Sequence, residues 1–174
     1  MLNCTLLGGD KMSTESEKRL HRCCFTGHRP EKLAEDKKKI IKALERAIIS
    51  AINEGYTTFI SGMSRGTDIW AAEIVLKLRR KYSIKLICAI PFKNFNGNWD
   101  VFWKIHYNKI LSKADLIKYI CESYRPDCFQ VRNEWMVNHS SQVIAIYNGT
   151  PGGTKNTIRY ATKNRVKVIN ILEE

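Results

Sequence analysis

The sequence predicts an α/β fold in which a doubly wound, mostly parallel sheet of about six strands carries helices on both faces. Three observations lead to this prediction. Short apolar runs of strand length alternate with helical patterns six times without a break. The run 84–90 is almost continuously apolar, as is typical of a strand that is covered on both faces. Glycine-rich turns follow several of the runs.

The composition indicates one globular domain without a membrane-spanning segment. The chain has 174 residues, of which 44% are hydrophobic and 26% charged. No apolar run approaches the roughly 20 residues that cross a bilayer, and the first residues lack the basic start of a signal peptide. The six cysteines follow neither a disulfide nor a zinc pattern, so we expect a cytoplasmic protein in which Cys121 and Cys128 are core or half-buried thiols.

The net charge of +12 favours an anionic partner. However, the lysines and arginines are spread over several predicted helices and do not form one stripe. Solvated helix faces are therefore preferred to a nucleic-acid track, and nucleic acid is a less favoured partner than a small molecule. A homo-oligomer is possible, and no cofactor, metal site or membrane partner is predicted.

The first half of the domain contains two strands and two helices. Residues 1–21 are polar without a period, and we expect a mobile N-terminal arm before a single domain, 22–174. Met12 is a possible alternative start. Residues 22–26 form the first strand, and 57–60 form the second. Between them, isoleucine and leucine recur every four residues opposite lysines, which predicts a helix that ends at Gly55. Thr67 or Asp68 is expected to cap the next helix, which runs to residue 81.

The second half repeats the alternation with four strands and three helices. The strands are predicted at 84–90, 116–120, 143–147 and 166–172, and the helices at 99–112, 126–140 and 154–164. Trp99, Trp103 and Tyr107 recur every four residues, which favours core packing over an exposed shelf for stacking bases.

The stretch 142–161 joins a buried strand, a glycine-rich turn and the start of a helix. Gly149, Gly152 and Gly153 permit positive φ and leave room for a ligand near the backbone. Thr154 is a candidate N-cap, so unpaired N–H groups would point across the loop toward a phosphate or carboxylate. An ordinary tight turn between a strand and a helix is the alternative.

Ligands bind beyond the carboxyl ends of the strands in doubly wound sheets, so the loops after the strands should share one edge. We predict that Thr26-Gly27, Ser61-Gly62 and Gly152-Gly153-Thr154 line one pocket that binds an anion. Arginines in these loops can grip phosphate through two hydrogen bonds. The residues expected to contact the ligand are Thr26, Gly27, His28, Arg29, Ser61, Gly62, Arg65, Gly66, Asp68, Arg132, Asn133, Gly149, Gly152, Gly153 and Thr154.

The common fingerprints of nucleotide-binding domains are absent from the sequence. No G-x-G-x-x-G follows the first strand, which disfavours an ordinary NAD-binding domain. No G-x-x-x-x-G-K-[ST] occurs, which disfavours a P-loop NTPase. H-E-x-x-H is absent as well, whereas Gly62-Met-Ser-Arg-Gly66 has the spacing G-x-S-x-G.

Four motifs in order resemble the YpsA-like family of the SLOG superfamily. They are Cys24-Phe-Thr-Gly-His-Arg-Pro-Glu-Lys-Leu33, Phe59-Ile-Ser-Gly-Met-Ser-Arg-Gly-Thr-Asp68 with Ala71-Ala-Glu73, Arg132-Asn-Glu-Trp-Met-Val137, and Pro151-Gly-Gly-Thr154. The resemblance runs from about residue 22 to 171. It implies a Rossmann-like fold related to the Lonely Guy phosphoribohydrolases and to DNA-processing protein A, and the binding or processing of nucleotide-derived ligands.

The last motif departs from the Lonely Guy pattern P-G-G-x-G-T-x-x-E, whose glutamate serves N-glycosidic cleavage. Lys155 takes the place of its third glycine, and Arg159 takes the place of the glutamate. A cation cannot stabilise an oxocarbenium ion as a carboxylate does. Negligible release of free base from nucleoside monophosphates is therefore expected.

Individual roles follow from these placements. His28 braces its turn or contacts the ligand, with acid or base chemistry as the alternative. Arg29 and Arg65 are expected to meet phosphate. Asp68 caps a helix or hydrogen-bonds a ribose, and capping is preferred. Glu73 is the candidate catalytic carboxylate if hydrolysis occurs, although a role on the helix surface is preferred.

Three classes of function remain open. The preferred one is the binding or sensing of a nucleotide or nucleotide-derived ligand. A nucleotide-processing hydrolase that uses Glu73 or Asp68 is the second. A single-stranded nucleic-acid binder is the third.

Overall fold

The computed structural model describes residues 13–172, so residues 1–12 of the expected arm, including Met12, lie outside the described part. Within it, six strands form one sheet in which every neighbouring pair is parallel. The strands are β1 (Arg22–Gly27), β2 (Thr58–Ser61), β3 (Lys85–Ile90), β4 (Leu116–Tyr119), β5 (Gln142–Ile146) and β6 (Lys167–Asn170). The predicted fold class is confirmed.

Helices connect the strands. They are α1 (Glu15–Leu20), α2 (Lys37–Asn53), α3 (Thr67–Leu78), α4 (Val101–Leu111), α5 (Cys128–Asn138) and α6 (Gly153–Lys163), with a short 3₁₀ helix at Pro30–Lys32. No helix in residues 13–172 combines the length and the apolar character needed to cross a membrane.

The helices cover the two faces of the sheet with separate apolar cores. On one face, the stripe of α2 that contains Ile40, Leu44 and Ile48 packs with α3 and α4. On the other face, α5 and α6 contribute residues such as Met136 and Ala161. Burying each large apolar side chain stabilises the fold by roughly 1.5–3 kcal/mol, which explains why the four-residue repeat of α2 predicted this helix.

The strand order β4-β3-β2-β1-β5-β6 places a topological switch point between β1 and β5. The chain moves outward from β1 to β4 in one direction, and then returns to the other side of β1 for β5 and β6. Loops that leave β1 and β5 at their carboxyl ends therefore diverge and leave a crevice, where ligands bind in such sheets.

Helix α1 lies in the segment that showed no periodicity. It is held by a capping box, in which the Thr14 hydroxyl accepts a hydrogen bond from Glu17 N and the Glu17 carboxylate accepts one from Thr14 N. The Ser141 hydroxyl donates to Leu20 O at 2.9 Å, which fixes the end of this helix beside β5. Six residues are too few for an apolar period, so only the T-x-x-E signature could have indicated this helix.

The described cysteines are free thiols. Cys23, Cys24, Cys88, Cys121 and Cys128 are all buried. Burial raises the pKa of Cys24 and of Cys88 to about 12, so both thiols are kept in the protonated form at neutral pH.

Candidate functional site

The loops after β1 and β5 form a pocket of about 290 Å³ at the switch point, together with the loop after β2 and one face of α5. The lining residues are Phe25, Thr26, Gly27, His28, Arg29, Lys32, Ser64, Asp68, Phe129, Arg132, Asn133, Met136, Gly152, Gly153 and Thr154. Ten of the fifteen residues expected to contact a ligand are in this set.

Two larger grooves lie away from this edge. One, of about 1010 Å³, lies against α1 at the amino ends of the strands, and its lining includes Thr57, Lys85 and Asp115. The other, of about 740 Å³, lies between α3 and α4. Neither contains a glycine loop or a switch point, so the smaller carboxyl-edge pocket is the better candidate site.

The amino terminus of α6 faces the pocket without a side-chain cap. Gly152 is the N-cap and has φ 145°, a conformation that a residue with a Cβ rarely adopts. The expected cap, Thr154, lies instead inside the first turn and is buried. Within residues 13–172, the N–H groups of residues 153–155 have no hydrogen-bond acceptor, so they are available to an anion at the positive end of the helix dipole.

Arg132 is the centre of the hydrogen bonds beneath the pocket. The side chain comes from α5, is only 4% exposed, and donates to Gly62 O, to Ser64 Oγ at 3.2 Å and to Asn133 Oδ1 at 2.8 Å. Burial lowers the pKa of Arg132, and the neighbouring Asp68 acts against that shift. Arg132 therefore ties the loop after β2 to α5 and contributes a buried positive charge.

Asp68 lies opposite Arg132 and is 6% exposed. Its Oδ2 accepts a hydrogen bond from Ser64 N at 3.1 Å. A Cβ on Gly62 would lie 2.5 Å from Arg132 Nη1 and 2.9 Å from Asp68 Oδ2, so only glycine leaves room for both side chains. Burial raises the pKa of Asp68, and Arg132 and Ser64 act against that shift.

The expected helix cap at Thr67 or Asp68 is a further correction. Gly66 is the N-cap of α3, and no side chain caps it. Thr67 instead donates its hydroxyl to His28 O at 3.1 Å, which joins α3 to the turn after β1. Thr67 is held by a distant partner, and the Asp68 carboxyl group is held by Ser64 N of the preceding loop, so both side chains have partners other than the N–H groups of the first turn.

His28 braces the loop after β1. Its backbone N–H donates to Ile146 O at 3.1 Å, and its Nε2 lies 3.3 Å from Thr150 Oγ1. Its ring packs against Tyr147, with 5.5 Å between the ring centroids. Burial, and next the charge of Lys32, lower the pKa of His28, so the ring is held uncharged at neutral pH.

The mouth of the pocket carries exposed cations. Arg29 and Lys32 extend from the turn after β1, and Lys32 Nζ donates to Pro151 O at 3.5 Å, beside the start of α6. Phe129 supplies an aromatic wall one turn before Arg132. Five lining residues were not predicted from the sequence: Phe25, Lys32, Ser64, Phe129 and Met136. The helical spacing of Phe129 from Arg132 was the signal that could have found the aromatic residue.

Five expected contact residues lie outside the lining, although all are at or beyond the carboxyl ends of β2 and β5. Ser61 is buried and donates to Asp68 O at 2.9 Å. Gly62 and Gly66 are buried under other side chains, and Gly149 is in an exposed turn. Arg65 forms a salt bridge with Glu31 at 3.1 Å, so its guanidinium is already paired with a carboxylate of the same chain.

Glu73 also lies away from the pocket. It pairs with His106 of α4, and it lines the groove between α3 and α4. Five residues separate it from Asp68, which turns the two carboxylates to different sides of α3. Arg159 is on the outer part of α6, in a shallow groove with Tyr160 and Lys163. Asp68 is therefore the acidic residue in the pocket lining.

Tyr107 is buried in the core, and Trp99 and Trp103 are half-buried and pack against it. Trp103 contacts Trp70 with 6.4 Å between ring centroids, and Trp99 contacts Tyr107 edge to face at 5.6 Å. These tryptophans are therefore not arranged as a free stacking shelf. Among residues 13–172, no group of three or more His, Cys, Asp or Glu side chains is placed to hold a metal ion.

Comparison with known proteins gives relatives that span most of the chain. A protein-family sequence model, described as the YspA SLOG family (YpsA), matches residues 23–171. The SPbeta prophage-derived protein YoqJ of Bacillus subtilis (strain 168) is 35% identical over 140 residues, which are 73% of this chain and 80% of that protein. A UPF0398 protein of Bacillus cereus (strain ATCC 14579) is 29% identical over 134 residues, 75% of this chain and 73% of that protein.

Two solved structures share the fold. DNA processing protein A (DprA) from Streptococcus pneumoniae superposes with a TM-score of 0.63 at 20% identity, over 86% of this chain and 49% of that chain. DprA from Helicobacter pylori superposes with a TM-score of 0.60 at 18% identity, over 88% of this chain and 66% of that one. This chain thus spans about half the length of the Streptococcus pneumoniae DprA chain. At these identities the likeness shows the fold alone, which is the expected Rossmann-like one.

Proposed function

Because this chain belongs to the YspA SLOG family, we propose that its carboxyl-edge pocket binds or senses a nucleotide or nucleotide-derived ligand. The observation that carries the proposal is the uncapped amino terminus of α6, which faces the pocket behind Gly152 and Gly153. Free N–H groups at a helix dipole suit a phosphate, and Arg29 and Lys32 add positive charge at the mouth.

Other parts of the pocket support a ligand with more than a phosphate. Phe129 and Met136 offer apolar surface on which a base can pack. The volume of about 290 Å³ is close to the lower end of small-molecule pockets, roughly 300–1,000 Å³. A nucleoside monophosphate combines these chemistries in one molecule of suitable size.

The Lys32→Ala variant tests the proposal. We expect saturable binding of adenosine 5′-monophosphate by the wild type in isothermal titration calorimetry, and about tenfold weaker binding by Lys32→Ala, because one charge-assisted hydrogen bond is lost. Lys81→Ala is the matched control. It removes the same charge from an exposed position beyond the far end of α3, and its affinity should not change.

Either of two results would count against the proposal. One is the absence of saturable binding for every nucleoside monophosphate in a panel of bases. The other is an equal loss of affinity in Lys32→Ala and Lys81→Ala, because nonspecific charge attraction would then explain the binding. Native mass spectrometry of the freshly purified protein would identify a ligand that is retained.

Single-stranded nucleic-acid binding is a second candidate function. The DprA neighbour from Helicobacter pylori binds single-stranded DNA. The net charge of +12 supports attraction to a polyanion. The charges are nevertheless distributed over several helices, and Trp99 and Trp103 are half-buried against the core, so we prefer the small-molecule ligand.

We expect a labelled oligothymidylate to bind weakly and to lose affinity steeply as salt rises, because contacts to solvated lysines act through counterion release. Fluorescence anisotropy at low and high ionic strength measures this. Tight binding that persists at high salt, and that Trp99→Ala or Trp103→Ala abolishes while the circular dichroism spectrum is unchanged, would favour the nucleic-acid function instead.

Hydrolysis has less support than binding. Glu73 is directed to His106, and the position of the Lonely Guy glutamate holds Arg159 outside the pocket lining. Negligible release of free base therefore stays the prediction. Cytoplasmic location and a homo-oligomer also stay predictions.

A further inference from the structure

The pocket contains one feature that phosphate binding does not explain, the carboxyl group of Asp68. It is the acidic residue of the lining and is 6% exposed. Oδ2 accepts the Ser64 N–H at 3.1 Å, and Ser64 is the residue of 13–172 that hydrogen-bonds this carboxyl group, which leaves acceptor capacity on Oδ1. In the described residues, the fully buried side-chain oxygens that lack a partner are Ser140 Oγ and Gln142 Oε1, so Asp68 Oδ1 is not one of them and remains accessible from the pocket.

The negative charge of Asp68 is also unfavourable in a site that binds only anions. A negative group beside the phosphate cradle of Gly152 and Gly153 weakens the attraction of that cradle for phosphate. Arg132 offsets part of this charge. The free oxygen therefore suits a hydrogen-bond donor on the same ligand that places its phosphate at α6.

On the premise of the proposed function, we propose that Asp68 Oδ1 accepts a hydrogen bond from a ribose hydroxyl, so that the pocket selects ribonucleotides over nucleotides that lack sugar hydroxyls. Asp68 and Gly153 line the same pocket of about 290 Å³, so a ligand that contacts both needs its sugar close to its phosphate. A nucleoside monophosphate has this arrangement. A site that bonds a hydroxyl rejects the analogue without it, because the buried acceptor then stays unpaired.

The alternative is that Asp68 only shapes the pocket. Its carboxyl group accepts a hydrogen bond from the Ser64 backbone and lies beside Arg132. On this alternative, these two contacts are the whole role of Asp68. A shaping role predicts that a change at Asp68 affects all nucleotides alike. A sugar contact predicts that nucleotides with the hydroxyl lose more affinity than those without it.

The experiment measures the affinities of adenosine 5′-monophosphate and its 2′-deoxy, 3′-deoxy and 2′,3′-dideoxy analogues by isothermal titration calorimetry. For the wild type, we expect the dideoxy analogue to bind about 10- to 100-fold more weakly than the ribonucleotide, because a hydrogen bond to a charged group is lost. The two single-deoxy analogues identify the hydroxyl that makes the contact.

The Asp68→Asn variant separates the two roles. Ser64 N–H holds an oxygen at the Oδ2 position, so the amide nitrogen takes the place of Oδ1, and a hydroxyl can then form only a neutral hydrogen bond there. We expect the ratio of the ribonucleotide affinity to the dideoxy affinity to fall, because the charge-assisted bond is lost, whereas the removed charge changes the attraction for phosphate in both ligands alike. An equal change for both ligands would overturn the sugar contact in favour of the shaping role.

The wild-type comparison keeps the inference falsifiable if Asp68→Asn does not fold. Equal affinity of the wild type for the ribonucleotide and the dideoxy analogue overturns the sugar contact and leaves the proposed function standing. The absence of saturable binding for every nucleotide overturns both.

Discussion

Arg132→Ala is expected to lower the free energy of unfolding by about 3–5 kcal/mol, the usual cost of removing one partner from a buried charge arrangement. Arg132 donates hydrogen bonds to the loop after β2 and to its neighbour Asn133, and its removal leaves Asp68 buried without the nearby positive charge. Urea unfolding monitored by circular dichroism measures the change. We expect the slope of the free energy of unfolding against urea concentration to be unaltered.

Arg125→Ala is the matched control for this variant. Arg125 precedes the same helix and pairs with Asp127 on the exposed surface. Exposed ion pairs contribute little to stability, so the midpoint of urea unfolding should not move measurably. If Arg132→Ala unfolded at the same urea concentration as the wild type, Arg132 would not be the structural centre of the pocket.

Gly153→Asp is expected to abolish nucleotide binding, with a loss of affinity of at least about 100-fold, because a fixed carboxylate would occupy the anion position at α6 and repel phosphate. The fold should be kept. A Cβ at Gly153 would have Asn133 Nδ2 as its nearest neighbour, at 3.9 Å, and acidic residues are favourable in the first turn of a helix. Calorimetric titration with adenosine 5′-monophosphate measures the loss.

Gly153→Asn supplies the control, because its side chain has nearly the same size and no charge. We expect it to retain measurably more affinity than Gly153→Asp. If the two variants bound the nucleotide equally well, and as well as the wild type, the anion would not lie at the amino terminus of α6. Thermal unfolding of both variants excludes a loss caused by misfolding.

The fold class and the sheet edge that carries the candidate pocket follow from patterns in the sequence. Apolar periodicity fixes which segments are strands and helices, because each element must bury one face or both. The connections then force the strands to be parallel, and parallel strands end at a common edge. The predictions for Gly27, Arg29 and Gly152-Gly153 follow from that geometry, and these residues lie in the pocket lining.

The pairing of the polar side chains, in contrast, depends on tertiary packing. Asp68 and Arg132 are far apart in the sequence, and no local pattern specifies that they meet across Gly62. Likewise, the sequence could not show that Arg65 is held by Glu31 or that Glu73 is held by His106. The physical reason is that backbone periodicity is a local property, whereas the partner of a charged side chain depends on which distant elements the packing of the core brings beside it.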